Sequence, residues 1–444
     1  MKVLLVSHGY PPVGVAGVER LTAQTASELI RRGHEAVVFT RDPSELPRTL
    51  GLRRDVRDGV PVLTMVGGGS TFERFPVFEP IQERIFERVL TEIEPGVILI
   101  THLLGHSPGY VEVAHRWEIP VVMELHDFYV KCPRAHLERR SGELCPGPES
   151  GKACARHCFG DQRDPKLRWA LRARSFGDAL RSADAVLAPS PFVAEAFAAE
   201  RGGSGSIEIV ENAVAPFGPI LHEESVPGGP LRLASIGVTV KHKGFETVVE
   251  ALRLSKVPRT FYTIHGVALA PLSHEMQRAA DNIRGLTLRL ANGFVPAHLP
   301  VLLADVDALV IPSVVPETYS IVAREAFALG IPVIASRIGA LPDAIRPGEN
   351  GWLFEPGNAA DLAVLLRRLH EEPELLRRAR AGIRSADVTS VETRTDQIEG
   401  ILDRVRGAGA RPAGWPGATE DALMREGLVA ADRRAGAAEA TSPA

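Results

Sequence analysis

No stretch of this 444-residue sequence comes near the roughly 18 consecutive apolar residues that a bilayer-crossing helix needs. An excess of either charge is missing too. The 51 Lys and Arg stand against 55 Asp and Glu, a net charge of -4, which argues against a nucleic-acid partner. The opening MKVLLVSHGYPP carries one lysine and a short apolar run before polar residues, unlike a secretory leader. A cytoplasmic protein is expected, with peripheral contact at the inner membrane face as its closest approach to lipid. Cysteine is scarce, four in all, and none sits in a CxxC pair. No nicotinamide-type GxGxxG fingerprint follows the first predicted strand, and the two halves show no sequence repeat.

What is present is ordinary globular material, 45% hydrophobic and 24% charged. The length implies about two to three domains. Strands are predicted at 2–6, 36–40, 60–66, 97–101, 121–124, 185–188 and 207–210, alternating with helices at 18–32, 79–93, 108–117, 166–181 and 191–200. A second series has strands at 231–236, 260–265, 308–311 and 332–335, with helices at 245–254, 297–304 and 321–329. This alternation predicts an α/β protein of two Rossmann-like, doubly wound parallel-sheet halves facing a cleft. The expected division is 1–211, a Pro- and Gly-rich linker at 212–230, 231–385, a last helical stretch at 386–406, and a disordered tail at 407–444. Residues 359–384 read as helical. Gly67-Gly68-Gly69-Ser70 reads as a flexible loop, 72–86 as a core helix before a membrane-facing one, and 420–428, near Trp415, as a short helix within the tail.

The most informative stretch is 310–336, VIPSVVPETYSIVAREAFALGIPVIAS. It reads as a βαβ unit whose helix start gathers the free amides of 318–322 where strand ends converge, a ready anion site. Glu325 lies about two turns into that helix, on the side facing the sheet, where a carboxylate is costly unless something hydrogen-bonds it. Its partner is either an arginine such as Arg324 or the diol of a ligand, with Glu317 at the cleft edge facing another part of the same ligand.

Glu317, seven residues, Glu325, then Ala326, Gly330 and PVIAS at 332–336 resemble the signature of the retaining glycosyltransferases of family 4, which have the two-domain GT-B fold. The segment GALPDAIRPGENGWLFE at 339–355 is similar to the one that follows in the family. The resemblance implies that Glu317 contacts the donor sugar, that Glu325 holds the nucleotide ribose, and that the backbone of Thr318, Tyr319 and Ser320 binds sugar or phosphate. It also implies a transfer that needs no metal and a last helix that returns to the first domain. Where the family has a Gly-Gly pair near the donor diphosphate, this sequence has Ala16-Gly17, so Gly17 carries the role. In SIGVTVKHKG the family's phosphate-clamping lysine matches Lys243, but its arginine is replaced by Val238, leaving Lys241 or His242 to supply the missing charge. His126, in the His126-Asp127 pair at a strand end, matches a family histidine near the transferring bond, and its implied work is to hydrogen-bond a sugar hydroxyl.

Residues 132–158 hold Cys132, Cys145, Cys154 and Cys158. Two readings stay open. One is a structural zinc site bracing a loop, in which His136 or His157 can replace one cysteine; the other is free thiols in a loop of small residues. A disulfide or redox cluster is the less favoured third. The segment is similar to a cysteine-rich insertion in some bacterial members of the family. The expected function is therefore a retaining hexosyl transfer from a nucleotide-diphosphate sugar to a glycan, lipid-linked or small-molecule acceptor, with Glu317, His126 and Lys243 catalytic and no catalytic cofactor. Alternatives are a nucleotide-sugar isomerase, a non-catalytic sugar-nucleotide-binding protein and a sugar phosphorylase.

Overall fold

A computed structural model describes residues 1–14, 16–42, 51–67, 79–162, 164–218, 226, 228–293 and 295–411. The first sheet contains β1 (Lys2–Val6), β2 (Glu35–Asp42), β3 (Gly51–Arg57), β4 (Val60–Val66), β5 (Val97–Ile100), β6 (Val121–Glu124), β7 (Ala185–Ala188) and β8 (Ile207–Ile209), in the order β3-β4-β2-β1-β5-β6-β7-β8. Only β3 runs antiparallel, against β4. The second sheet contains β9 (Leu231–Ile236), β10 (Thr260–Gly266), β11 (Leu286–Asn292), β12 (Ala308–Ile311), β13 (Val333–Ser336) and β14 (Gly351–Phe354), all parallel, in the order β11-β10-β9-β12-β13-β14.

Short apolar runs such as VILI in β5 and ALVI in β12 are buried along their whole length, as strands covered on both faces must be. Helices Pro80–Ile93, Tyr110–Arg116, Pro165–Ser182 and Pro191–Arg201 pack on one face of the first sheet. The other face is covered by helix Gly17–Arg31 and by the last helix, Val391–Ala408, whose Ile398, Ile401 and Leu402 share a core with Val3, Leu5 and Leu29. Among the parallel strands of each sheet the order reverses once, between β1 and β5 and between β9 and β12, and loops at such a reversal form the crevice where ligands bind in doubly wound folds.

Several elements differ from the sequence expectation. β3, GLRRDVR, carries too many charges to read as a strand, yet it pairs along its whole length on the sheet edge. Helix Leu272–Asp281, β11 and β14 extend the second half, and the helix expected at 297–304 is a 3-10 turn, Pro296–His298, followed by one short turn, Leu299–Leu302. The helical stretch expected at 359–384 is two helices, Ala359–Glu371 and Glu374–Ala381, because Pro373 cannot continue the first. Residues 68–70 of the glycine loop, 72–78, residues 219–225 and 227 of the linker and the tail from 412, with Trp415 and 420–428, lie outside the described residues.

Candidate active site

The loops leaving β9 and β12 carry the charges of the second half. After β9 a 3-10 turn, Lys241–Lys243, ends at Gly244 with φ +66°, where a Cβ would fall 2.1 Å from the Pro312 carbonyl oxygen. Glycine alone lets this loop lie against the exit of β12. Lys243 Nζ then donates to Glu317 Oε1 at 2.8 Å, and Ser313 Oγ donates to the same oxygen. Burial by itself would raise the Glu317 carboxyl; the Lys243 ammonium and the Ser313 hydroxyl outweigh it and hold it below its ordinary value. Gly339 seals the far side, since a Cβ there would fall 2.3 Å from the Glu317 carbonyl oxygen, which accepts from Ala340 N at 2.8 Å.

Beyond Glu317 the turn is tied to the first half. Thr318 Oγ1 donates to the His126 carbonyl oxygen at 2.7 Å, and the Thr318 carbonyl accepts from Ser190 Oγ at 2.7 Å. Tyr319 is buried and points away, its hydroxyl donating to Glu211 Oε2 at 3.4 Å with Arg324 over its ring. Ser320, at φ +61°, starts helix Ile321–Ala328, whose first amides to join the ladder are those of Ala323 and Arg324, leaving 320–322 at the open end.

Glu325, 3% exposed, accepts from Arg20 Nη1 at 3.1 Å, so its partner is an arginine from across the cleft and not Arg324. Burial raises its carboxyl, and Arg20 offsets only part of that. Arg20 stands on helix Gly17–Arg31, whose first residue abuts the other helix start: a Cβ on Gly17 would lie 3.0 Å from Ile321 Cδ1. Beside this meeting of helix starts is a cavity of about 240 Å³ lined by Arg20, Leu21, Phe217, Pro300, Ile321 and Glu325 among others. Ala16 has φ -73° and ψ -175°, extended backbone that any residue adopts, so the alanine costs nothing in conformation.

The first half presents histidines. His126 Nε2 is 3.0 Å from Glu124 Oε2, Glu124 Oε1 accepts from Arg394 Nη2, and Arg394 Nη1 donates to Thr25 Oγ1 at 2.7 Å. Burial would raise Glu124, but Arg394 and His126 outweigh it and keep it ionised. Facing that carboxylate, Nε2 carries the proton and Nδ1 is left as an acceptor. Nδ1 is buried and has no hydrogen-bond partner among the described residues. Asp127 Oδ2 lies 3.1 Å from His102 Nε2, and the His102 ring centroid is 4.4 Å from that of His8. His136 stands 4.7 Å, ring to ring, from His242. Burial, then His136 and Lys243, push His242 down to about 4, so it is neutral near pH 7 and does not replace the charge absent at Val238. Lys241 is exposed, which leaves Lys243 as the cation of this loop that faces Glu317.

The structure thus brings Glu317, Lys243 and Thr318 together beside the His126 loop, with Gly17 and Glu325 a helix turn away, while Tyr319 turns inward. Sequence reasoning missed Arg20, Glu124 and Arg394. Glu124 had a signal, being the one charge in the buried strand VVME; Arg394 had none, because its role exists only after the last helix docks. All four cysteines are free and line one cavity of about 10 Å³, which neither His136 nor His157 lines. Cys154 sits in a helix, Lys152–His157, where a loop was expected, and among the described residues no three His, Cys, Asp or Glu side chains stand as a ready metal-binding group.

Residues 16–213 match the glycosyl transferase 4-like domain and residues 220–385 match glycosyl transferases group 1. With one match in each half, the chain is a glycosyltransferase of GT-B build. More narrowly, it belongs with the family 4-like glycosyltransferases. Similar proteins include a glycogen synthase of Mycobacterium tuberculosis, 26% identical over 90% of this chain and 94% of that protein. A D-inositol 3-phosphate glycosyltransferase of Corynebacterium aurimucosum is 25% identical over 90% of this chain and 95% of its own. Two solved structures share the fold. Anabaena HepE in complex with UDP and glucose has a TM-score of 0.62 and 17% identity, covering 91% of this chain and 99% of that one. Sucrose-phosphate synthase from Thermosynechococcus elongatus has a TM-score of 0.65 and 19% identity, covering 92% and 99%. No helix among the described residues is long and apolar enough to cross a membrane.

Proposed function

We propose that this protein is a retaining hexosyltransferase that takes a nucleoside-diphosphate sugar and passes the hexosyl group to an acceptor hydroxyl in the cytoplasm, in glycan, polysaccharide or glycolipid synthesis. The observation that carries this is the 2.8 Å contact of Lys243 with Glu317 at the β9/β12 switch point. A cation suited to a departing phosphate and a carboxylate suited to sugar hydroxyls touch there, so the sugar–phosphate junction has one natural place to sit. The UDP and UDP-glucose complexes of HepE, a fold neighbour, support the same class of donor.

The bond from the anomeric carbon to the phosphate oxygen breaks, its electron pair leaving with the phosphate, while the acceptor oxygen bonds to the anomeric carbon on the same face and its proton passes to that phosphate oxygen. No strong base is required, and no metal ion is assigned to the step. Lys243 and the amides of 320–322 stabilise the charge growing on the phosphate from fixed positions. Glu317 holds sugar hydroxyls, His126 accepts a hydrogen bond from one at Nδ1, and Glu325 takes the ribose hydroxyls once Arg20 lets go, with the neighbouring cavity receiving the nucleoside. Thermal shift against UDP-, GDP- and ADP-sugars should show one stabilising nucleotide class. NMR of the product from that donor should show the donor's anomeric configuration. An inverted product removes retention, and nucleotide release with no acceptor-dependent transfer points to an isomerase.

A further inference from the structure

We propose that Cys132, Cys145, Cys154 and Cys158 bind one zinc ion as a tetrahedral tetrathiolate that pins the 132–158 segment beside the transfer site. The thiols come from separate turns of the chain, yet all line a single cavity of about 10 Å³. That is room for one water-sized sphere and nothing larger. None of the four is in a disulfide.

The independent pointer to a negative centre is Arg172, on helix Pro165–Ser182. It is 1% exposed, and its guanidinium donates to the Tyr129 carbonyl and lies over the rings of Phe176, at 4.1 Å, and Tyr129, at 4.8 Å. Its Nε has no hydrogen-bond partner, and among the described residues no carboxylate pairs with it. The ionisable groups nearest it are Tyr129, Cys132 and Cys154. A buried cation without a counter-charge is costly. As neutral thiols the cysteines offer none, whereas four thiolates around Zn²⁺ carry a net charge of about -2 beside it.

A bound zinc ion displaces the thiol protons, so the four sulfurs become thiolates on binding. Cys145 Sγ donates to the Gly147 carbonyl oxygen at 3.2 Å, and among the described residues the four sulfurs are not gathered as a ready metal-binding group. The segment also holds Ala135, Leu137, Glu149 and Ser150 at positive φ; Cys132, Ala135 and Leu137 pack on the main core of the first half, while Cys154 and Ala155 form a satellite core with Trp169 and Phe159. Glu149 and Ser150, both exposed, have no such support, and a metal cross-link nearby would brace that stretch. Zinc softness and the all-sulfur donor set agree.

The consequence for the transfer site is positional. Phe128 N donates to the Ala135 carbonyl and Cys145 N to the Leu137 carbonyl, so the clamped segment carries His136, between them, to its place against His242 and next to Lys243.

The test is the zinc content, by plasma mass spectrometry, of full-length, untagged protein purified without chelators, a readout that does not depend on the proposed transferase activity. One zinc per chain is expected, with the four thiols silent to Ellman's reagent until a mercurial releases the ion to a colorimetric zinc indicator. Cys154→Ser should lose at least about tenfold of the zinc. Because that variant can also fail to fold, Arg172→Met serves as the second: it keeps every thiol and should lose zinc to EDTA about tenfold faster than the parent. Metal-free protein with four titratable thiols, a disulfide, or iron and sulfide with a visible absorption band would each overturn the proposal, as would an Arg172→Met protein with unchanged zinc release.

Discussion

The two walls of the cleft are built on different chemistry. The second half meets the cleft with formal charge: Lys243 against Glu317, the buried Glu325, and a helix start with open amides. The first half meets it with imidazoles, three of them backed by a carboxylate: His126 by Glu124, His102 by Asp127, His8 by Glu19. A wall of charges suits a diphosphate, whose recognition is electrostatic; a wall of oriented imidazoles suits hydroxyl groups, whose recognition is directional. On the proposed function, that difference puts the donor phosphates, with the sugar hydroxyls at Glu317, on the second half and further sugar or acceptor hydroxyls on the histidines of the first.

Four changes would break or sharpen that contrast. Arg394→Met removes the cation behind the histidine wall and strands Glu124 in the interior, and should cost about 3–5 kcal/mol in urea unfolding at pH 7. Glu124 is held below its ordinary value, so this stability is full above the unfolded carboxyl value of about 4.3 and is lost as pH falls through the folded one; the gap between variant and parent should therefore close in acid. Lys243→Ala strikes the charged wall and should lower kcat by about 10²–10³ while leaving acceptor KM unchanged in steady-state assays. If kcat holds and only donor KM rises, Lys243 binds without stabilising the leaving phosphate. Glu325→Gln should weaken donor affinity about tenfold by calorimetry. Because burial raises the Glu325 carboxyl, its charge costs stability at neutral pH and that cost fades as pH falls, so the same variant should unfold at a higher temperature at pH 7. Ala16→Gly should change stability by less than about 0.5 kcal/mol in denaturant unfolding, since the alanine is unstrained.

The contrast also explains what the sequence discloses. The two doubly wound sheets are legible because their strands are continuous apolar runs separated by helical periods. β3 is not, because an edge strand that pairs through its backbone can keep a charged sequence. The charged wall is legible as well, for Glu317, Thr318 and Glu325 lie within one βαβ unit and a charge in an apolar helix marks itself. The histidine wall is scattered over the loops after β1, β5 and β6 and is braced by the last helix, so its members share no spacing. Arg20 could not be paired with Glu325 from sequence, being 305 positions away. The neutrality of His242, a candidate for the charge missing at Val238, follows only from its burial against His136 and Lys243.

The link from His126 through Glu124 to Arg394 spans 270 positions between its last two members. During synthesis both sheets are complete before residue 391 leaves the ribosome, yet the histidine has no anchor for its backing carboxylate until then. On the proposed function, the support of His126 therefore depends on the docking of the last helix, and a fragment ending near residue 385 lacks the Arg394 side chain that anchors Glu124.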